Sequence, residues 1–405
     1  MKRIHFHTKA HYYLALIIAF CIPLGRITPV FIVLFLLNWL IEGDFKNKFQ
    51  NIFQNKLSLL FIAFFLMHVI GLAYTANMDA GLFDLQVKLS LFVFPFIFAS
   101  RPLPKSQIRN LFWAFIAGGI VCSIIMLSRA TYTYFAFSEN NFFYQSFSFF
   151  IHPSYLSMYF NLCIAWLLLN RAKKSDTYNR FATILSFLVV LFFSFIIILL
   201  SSKMGLITMV LLYTGFILYY IVSRKKYAFG IIGFILFVGL VYSMVRFVPE
   251  IRDRVANVFT AISSESNNQA EAESTAVRML IWRASNQIIS EHFLFGAGTG
   301  DSKDVLMGEY QKRGMTGALE HKLNAHNEYY QVFISLGLIG FVLLILSLLI
   351  PLYNAFTSKN AIYILFLLII ILNIIPESMF ETQAGVVFYA FFNSLLCFDN
   401  NKSQV

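Results

Sequence analysis

Long apolar runs alternate with short polar breaks along most of this 405-residue chain. A hydrocarbon core takes about 20 residues of apolar helix. Runs of that order recur near 11–25, 27–42, 57–74, 86–100, 108–128, 153–169, 181–200, 205–222, 228–246, 328–352, 361–375 and 384–397. The pattern predicts an all-α, polytopic integral membrane protein with about 12 transmembrane helices. The first two runs are divided by "PLGRITP", where Pro23, Gly25 and Pro29 interrupt a single helix. One long kinked span there would invert everything downstream.

The same pattern divides the chain into helices 1–246, a polar segment 247–327, and a further helical part with a short tail, 328–405. The middle of the polar segment, "SSESNNQAEAES", has the composition of a mobile linker. It is followed by "TAVRMLIWRASNQIISEHFLFGAGTGD", in which Val277, Leu280, Ile281, Ala284 and Ile288 share one helical face. Arg278 and Trp282, four apart, are neighbours on another. The expectation is an amphipathic helix along the membrane surface, stopped by the glycines of "FGAGTG".

Charge orients this arrangement. With the N-terminus inside, the loops carrying "FKNKF", "RPLPK", "NRAKKSDTYNR", "SRKK" and "TSKN" all fall on the cytoplasmic side, where lysine and arginine concentrate. That distribution assigns the net charge of +11 to membrane orientation and gives no sign of nucleic-acid binding. The basic N-terminus leads into an apolar run without a small-residue cleavage pattern, which reads as a retained first span. The four cysteines stand singly and form no CxxC pair, so no disulfide framework or zinc site is suggested. The 247–327 segment then lies outside, together with Arg26, Arg129, Lys203, Arg246, Arg252, Arg254, Arg278 and Arg283. Cations on that side run against the insertion bias, and as a set they suggest an anion site that Lys88 can join.

Several groups have chemistry to offer. His326, in "LNAHNEYYQVFISLGLIG", stands at the outer mouth of the tenth span, where an imidazole can take a proton at neutral pH. The alternative is that the "NAHNE" group, Asn327 included, only caps the helix. Lys203, in the tight "LLSSKMG" hairpin, either meets an anion or snorkels to headgroups. Arg278 can fork onto phosphate oxygens or pair with Glu271 or Glu273. Arg283 lies five positions on and points to a different face. His152, in "FFIHPSYLSMYF", either contacts ligand or belongs to a helix start at Pro153. The aromatic stretch "TYTYFAFSENNFFYQSFSFF" reads as an interfacial belt or a wall for sugars and lipid. "FGAGTGD" lacks the lysine-serine ending of a phosphate loop and reads as a helix stop and packing turn. No acidic cluster has metal-ligand spacing.

In order, "SSK-MG", "VRMLIWRASNQIISEHFLFGAGTGD" and "AHNEYYQVFISLGLIG" resemble the O-antigen ligase family, within a wider group of O-antigen polymerases and protein O-oligosaccharyltransferases. The resemblance implies a membrane glycosyltransferase (GT-C-like) architecture with one large periplasmic loop, in the bacterial inner membrane. It implies metal-independent, inverting transfer of a glycan from an undecaprenyl-diphosphate donor to a lipid A-core sugar, with membrane lipids as surroundings and no cofactor. It makes His326 the base and matches Arg278 and Lys203 to the donor diphosphate; Arg283 is a further candidate cation there, with Asn327, Trp282 and His152 as candidate support. Lysine at position 203, where the family usually has arginine, keeps the charge but loses the fork. A polymerase or a protein O-oligosaccharyltransferase uses the same machinery with another acceptor. A lipid-linked sugar transporter is the reading from a different class.

Overall fold

The computed structural model describes residues 2–172, 180–224 and 275–398, with the isolated positions 235, 239, 246 and 252. Every regular element among the described residues is helical. α1 (Lys2–Cys21) and α2 (Thr28–Glu42) pack along each other across the "PLGRITP" break. Gly25 takes φ 70° there, and the Thr28 hydroxyl donates to the Cys21 carbonyl at 2.9 Å. Two helices therefore stand where one kinked helix was the alternative. α3 (Phe45–Gln54) departs from α2 at 115°, and α4 (Lys56–Gly71) starts at Asn55, whose side chain caps it.

α5 (Met78–Lys88) and α6 (Ser90–Ser100) together make one apolar stretch. It begins earlier than the expected 86–100 because Lys88 pairs with Asp84 and so can be buried within it. α7 (Lys105–Phe137) outruns the expected 108–128 at both ends. Its 33 residues make a rod of about 50 Å, against a hydrocarbon core of about 30 Å.

The chain forms two compact units: Met1–Phe115 with Glu265–Val405, and Ile116–Ser264. In the second, α8 (Tyr144–Phe147) and α9 (Pro153–Ala172) pack with α10 (Arg180–Leu200) and α11 (Lys203–Arg224). Phe160 and Phe193 stack at 4.8 Å between α9 and α10. Gly205 lets the start of α11 approach Ser157 of α9, with Asn161 Nδ2 donating to the Gly205 carbonyl at 2.9 Å.

The first unit continues with α12 (Thr275–Glu291), α13 (Ser302–Lys312), α14 (Thr316–Glu320), α15 (Glu328–Thr357), α16 (Ala361–Asn373) and α17 (Gln383–Cys397). Its helical part is filled by aromatic rings, with Phe94 against Phe391 and Phe115 against Phe392. The apolar face expected on α12 is the buried one: Val277, Ile281, Ala284 and Ile288 share a core with Leu306, Tyr310, Met315 and Ala318. Leu280 sits at its edge, and Ala325 and Ile334 complete it.

α15 breaks at Gly337, with φ 64° and ψ −161°. A break strands backbone groups that an unbroken helix would pair, and the α12–α13 connection supplies partners for three of them. The Ala297 and Gly298 amides donate to the Ile334 and Ser335 carbonyls at 2.7 and 3.0 Å, while the Leu338 amide donates to the Phe293 carbonyl at 2.8 Å. A Cβ at Gly296 or Gly337 would strike the facing backbone. "FGAGTGD" is thus a stop and a close-packing turn, as its sequence suggests.

Among the described residues five helices are long and apolar enough to cross a membrane: Lys56–Tyr74, Met78–Ser100, Lys105–Phe137, Arg180–Leu200 and Glu328–Thr357. The number becomes six if α2 and the bent α3 form one span. Lys203–Tyr219, Ala361–Asn373 and Gln383–Cys397 are shorter apolar helices. This is a helical membrane protein. The expected span at 228–246 and the linker "SSESNNQAEAES" lie outside the described residues, apart from positions 235, 239 and 246.

Candidate active site

His326 occupies a strap between α14 and α15 that is tied through the backbone of Ala325, His326 and Asn327. Its own φ is 45°, a conformation unusual for a residue with a Cβ. The preceding Ala325 is gripped from two sides: its amide donates to Gln331 Oε1 at 3.2 Å, and its carbonyl accepts from Trp282 Nε1 at 3.1 Å. Trp282 in turn stacks on Tyr330, with ring centres 6.0 Å apart. Asn324 Oδ1 accepts from the His326 amide at 3.0 Å. On the far side, Asn327 caps α15, its side-chain oxygen accepting from the Tyr329 and Tyr330 amides. The capping role is therefore real for Asn327, and it leaves the imidazole itself uncommitted.

The His326 ring looks onto a residue that the sequence reading did not select. Glu377, in "IIPESMFET" between α16 and α17, places Oε2 3.8 Å from His326 Nδ1 and Oε1 3.1 Å from an Arg278 terminal nitrogen. The side chains of His326, Arg278 and Glu377 are 24, 30 and 15 % exposed, so the group is partly dry yet reachable. At 3.8 Å the histidine contact is too long for a hydrogen bond. His326 Nδ1 is buried and has no hydrogen-bond partner among the described residues. Arg278 pairs with Glu377; the expected alternatives Glu271 and Glu273 lie outside the described residues. The signal that could have found Glu377 is modest: one carboxylate, after Pro376, in a short loop that the charge argument puts on the same side as His326.

Three backbone and side-chain ties fix the two segments against each other, and a fourth contact holds the loop to α5. The Asn327 amide donates to Ser378 Oγ at 3.2 Å and the Glu328 amide to the Ile374 carbonyl at 2.9 Å. The Phe380 amide donates to the Glu328 carboxylate at 2.7 Å. Lys88 reaches Glu381 at 2.8 Å from α5 and also contacts Asp84. Lys88 is thus committed to carboxylates, which corrects its expected place in an anion site.

The other singled-out residues divide between the two units. Arg283 is on the same helix as Arg278 but is exposed on a different face, and the structure does not bring it to the Arg278–Glu377–His326 group. Lys203 and His152 belong to the second unit. Lys203 is the first residue of α11, next to Ser202, whose hydroxyl approaches that of Ser154 at 3.5 Å. His152 Nδ1 accepts from the Ser154 amide at 3.4 Å where α9 begins. Arg129 of α7 lies over the Phe149 ring at 4.4 Å and donates to the Ser146 carbonyl.

An imidazole beside a carboxylate, with an arginine on that carboxylate's other oxygen, is an arrangement that can pass a proton next to an anion. It belongs to a multi-pass helical membrane protein. Residues 187–345 match the family model described as O-antigen ligase. That stretch contains Lys203, Arg278, Trp282, Arg283, His326 and Asn327, whereas Glu377 and Lys88 lie beyond it. Members of the family are glycosyltransferase-like enzymes, ligases and polymerases. No curated protein matches the chain.

Proposed function

We propose that this protein is a ligase that moves a glycan from undecaprenyl diphosphate to a sugar hydroxyl of lipid A-core at the periplasmic face of the inner membrane. In this reading the full chain has 12 spans and a GT-C-like architecture. The observation that carries the proposal is the Arg278–Glu377–His326 row at the mouth of α15. With Nδ1 turned to Glu377, His326 uses Nε2 to take the acceptor proton. The freed oxygen attacks the anomeric carbon, and the bond to the diphosphate breaks with its electron pair on the departing phosphate oxygen. Inversion follows from attack opposite that bond. A positioned base of this kind contributes about 10²–10⁴-fold.

The leaving diphosphate gathers negative charge, which fixed cations stabilise best in a partly dry site. Arg278 is the first of these, and incoming phosphate oxygens compete with Glu377 for its guanidinium. Lys203 and Arg283 are assigned to the donor by their place in the sequence motifs. Glu377 steadies the imidazolium that forms on His326.

The deciding experiment supplies purified wild-type and His326→Ala protein with an undecaprenyl-diphosphate glycan and, separately, lipid A-core, a second donor or an acceptor protein. Wild type is expected to glycosylate lipid A-core, and His326→Ala to lose at least about 10²-fold in rate. Product on the second donor alone makes the protein a polymerase, and product on protein alone an oligosaccharyltransferase. Donor binding without any product removes the transferase reading.

A further inference from the structure

Lys88 has no part in the chemistry described above, yet it is one of the most enclosed charges in the protein. It ends α5 with 2 % of its surface exposed, in contact with Asp84 and 2.8 Å from Glu381. Glu328, fully buried, is within electrostatic reach, and one of its oxygens has no hydrogen-bond partner among the described residues. Three carboxylates therefore surround one ammonium. Taking the ammonium away leaves one buried and two half-buried carboxylates without their counter-ion, an arrangement costlier than the intact cluster.

The cluster bears on the loop that carries Glu377. That loop is tied to the start of α15 on both sides of Glu377, at Ile374 before it and at Ser378 and Phe380 after it, and the latter flank ends at Glu381 in the grip of Lys88. Glu377 projects from between these anchors. Its 3.8 Å approach to His326 depends on where the loop backbone lies, while the imidazole side has further ties of its own through Trp282 and Gln331.

We propose that Lys88 is a positioning residue for the transfer step. Its bridge to Glu381 seats the 377–381 segment on the start of α15 and thereby sets Glu377 against Nδ1 of His326. The kinetic consequence rests on the function proposed above; the seating does not.

The test uses full-length protein carrying Lys88→Met, Lys88→Arg, Glu381→Gln, Glu377→Gln, or Lys88→Met with Glu377→Gln. The first readout, without substrate, is the ring ¹⁵N signal of His326, assigned by its loss in His326→Ala. Lys88→Met is expected to move this signal as Glu377→Gln does, with no further change in the double variant. The second readout is transfer. A displacement of about 1 Å in a reacting site can cost about 10²-fold. Lys88→Met should accordingly lower kcat by between about ten- and a hundredfold, with donor KM changed less than about threefold. Lys88→Arg should restore most of kcat, and the double variant should be no slower than Glu377→Gln alone.

An unmoved His326 signal in folded Lys88→Met, or losses that multiply in the double variant, overturns the proposal. If Lys88→Met does not fold, Glu381→Gln decides in its place, since it cuts the same bridge and leaves Lys88 with Asp84 and Glu328. If wild type forms no glycan product, the function reading falls while the ring signal still decides the role of Lys88.

Discussion

Glu377→Gln removes one negative charge while keeping the size of the side chain and an oxygen that can accept from Arg278. Its effect on catalysis can be bracketed from the 3.8 Å separation between Glu377 Oε2 and His326 Nδ1. A full charge on each group at that distance is worth about 4 kcal/mol at an effective dielectric of 20 and about 1 kcal/mol in bulk water. The two side chains are 15 and 24 % exposed, and Arg278 shares the carboxylate, so about 2 kcal/mol is a reasonable middle value. That free energy is felt only once His326 carries the extra proton, so it falls on the chemical step. The expected result is a kcat lower by about thirtyfold. Donor affinity should hold or rise, because Arg278 loses a competing carboxylate. Steady-state kinetics with a fluorescent lipid-linked glycan, together with direct binding of undecaprenyl diphosphate, separate the two. A variant with unchanged kcat and weakened donor binding would refute the reasoning, since it would make Glu377 an organiser of the anion site alone.

Two further substitutions probe the scaffold around this row. Trp282→Phe keeps the stack on Tyr330 but deletes the hydrogen bond to the Ala325 carbonyl. It should cost about 1 kcal/mol in stability and lower kcat severalfold, read from a melting curve beside the transfer assay; full activity would show that the strap needs no tether at Ala325. Gly337→Ala puts a Cβ against the Leu294 backbone at a positive φ. Strain of about 1–3 kcal/mol from the backbone conformation alone, plus the collision, should lower the melting temperature of the purified protein by several degrees. An unchanged melting temperature would mean that the insertion at the break contributes little.

The parts of this structure visible in the sequence are those governed by local periodicity. Apolar blocks announce the helices, proline and glycine mark the first turn, and the spacing of Val277, Ile281, Ala284 and Ile288 names the buried face of α12. His326 and Arg278 stand out because polar groups at the end of an apolar run need a reason. Glu377 does not, since its partners lie 51 and 99 positions away and a lone glutamate in a loop has no local signature. Lys88 misleads for the same reason: a cation early in an apolar run looks available until Glu381, far along the chain, is brought to it. The break in α15 is hidden because "SLGLIG" has the composition of ordinary helix packing, and nothing local reveals that Gly337 has left the helical region.

The repair of that break also sets an order of assembly. The residues that complete α15, Phe293 to Gly298, leave the ribosome before the helix they complete, as do Val277 to Ala318 of the core that Ala325 and Ile334 close. Neither piece can finish alone, since each holds backbone groups that only the other pairs, and unpaired amides and carbonyls are poorly tolerated in lipid. The amino-terminal piece must wait unfinished for its partner to insert, so the strap that carries His326 is built late. A chain truncated before Ile334 leaves that core unclosed.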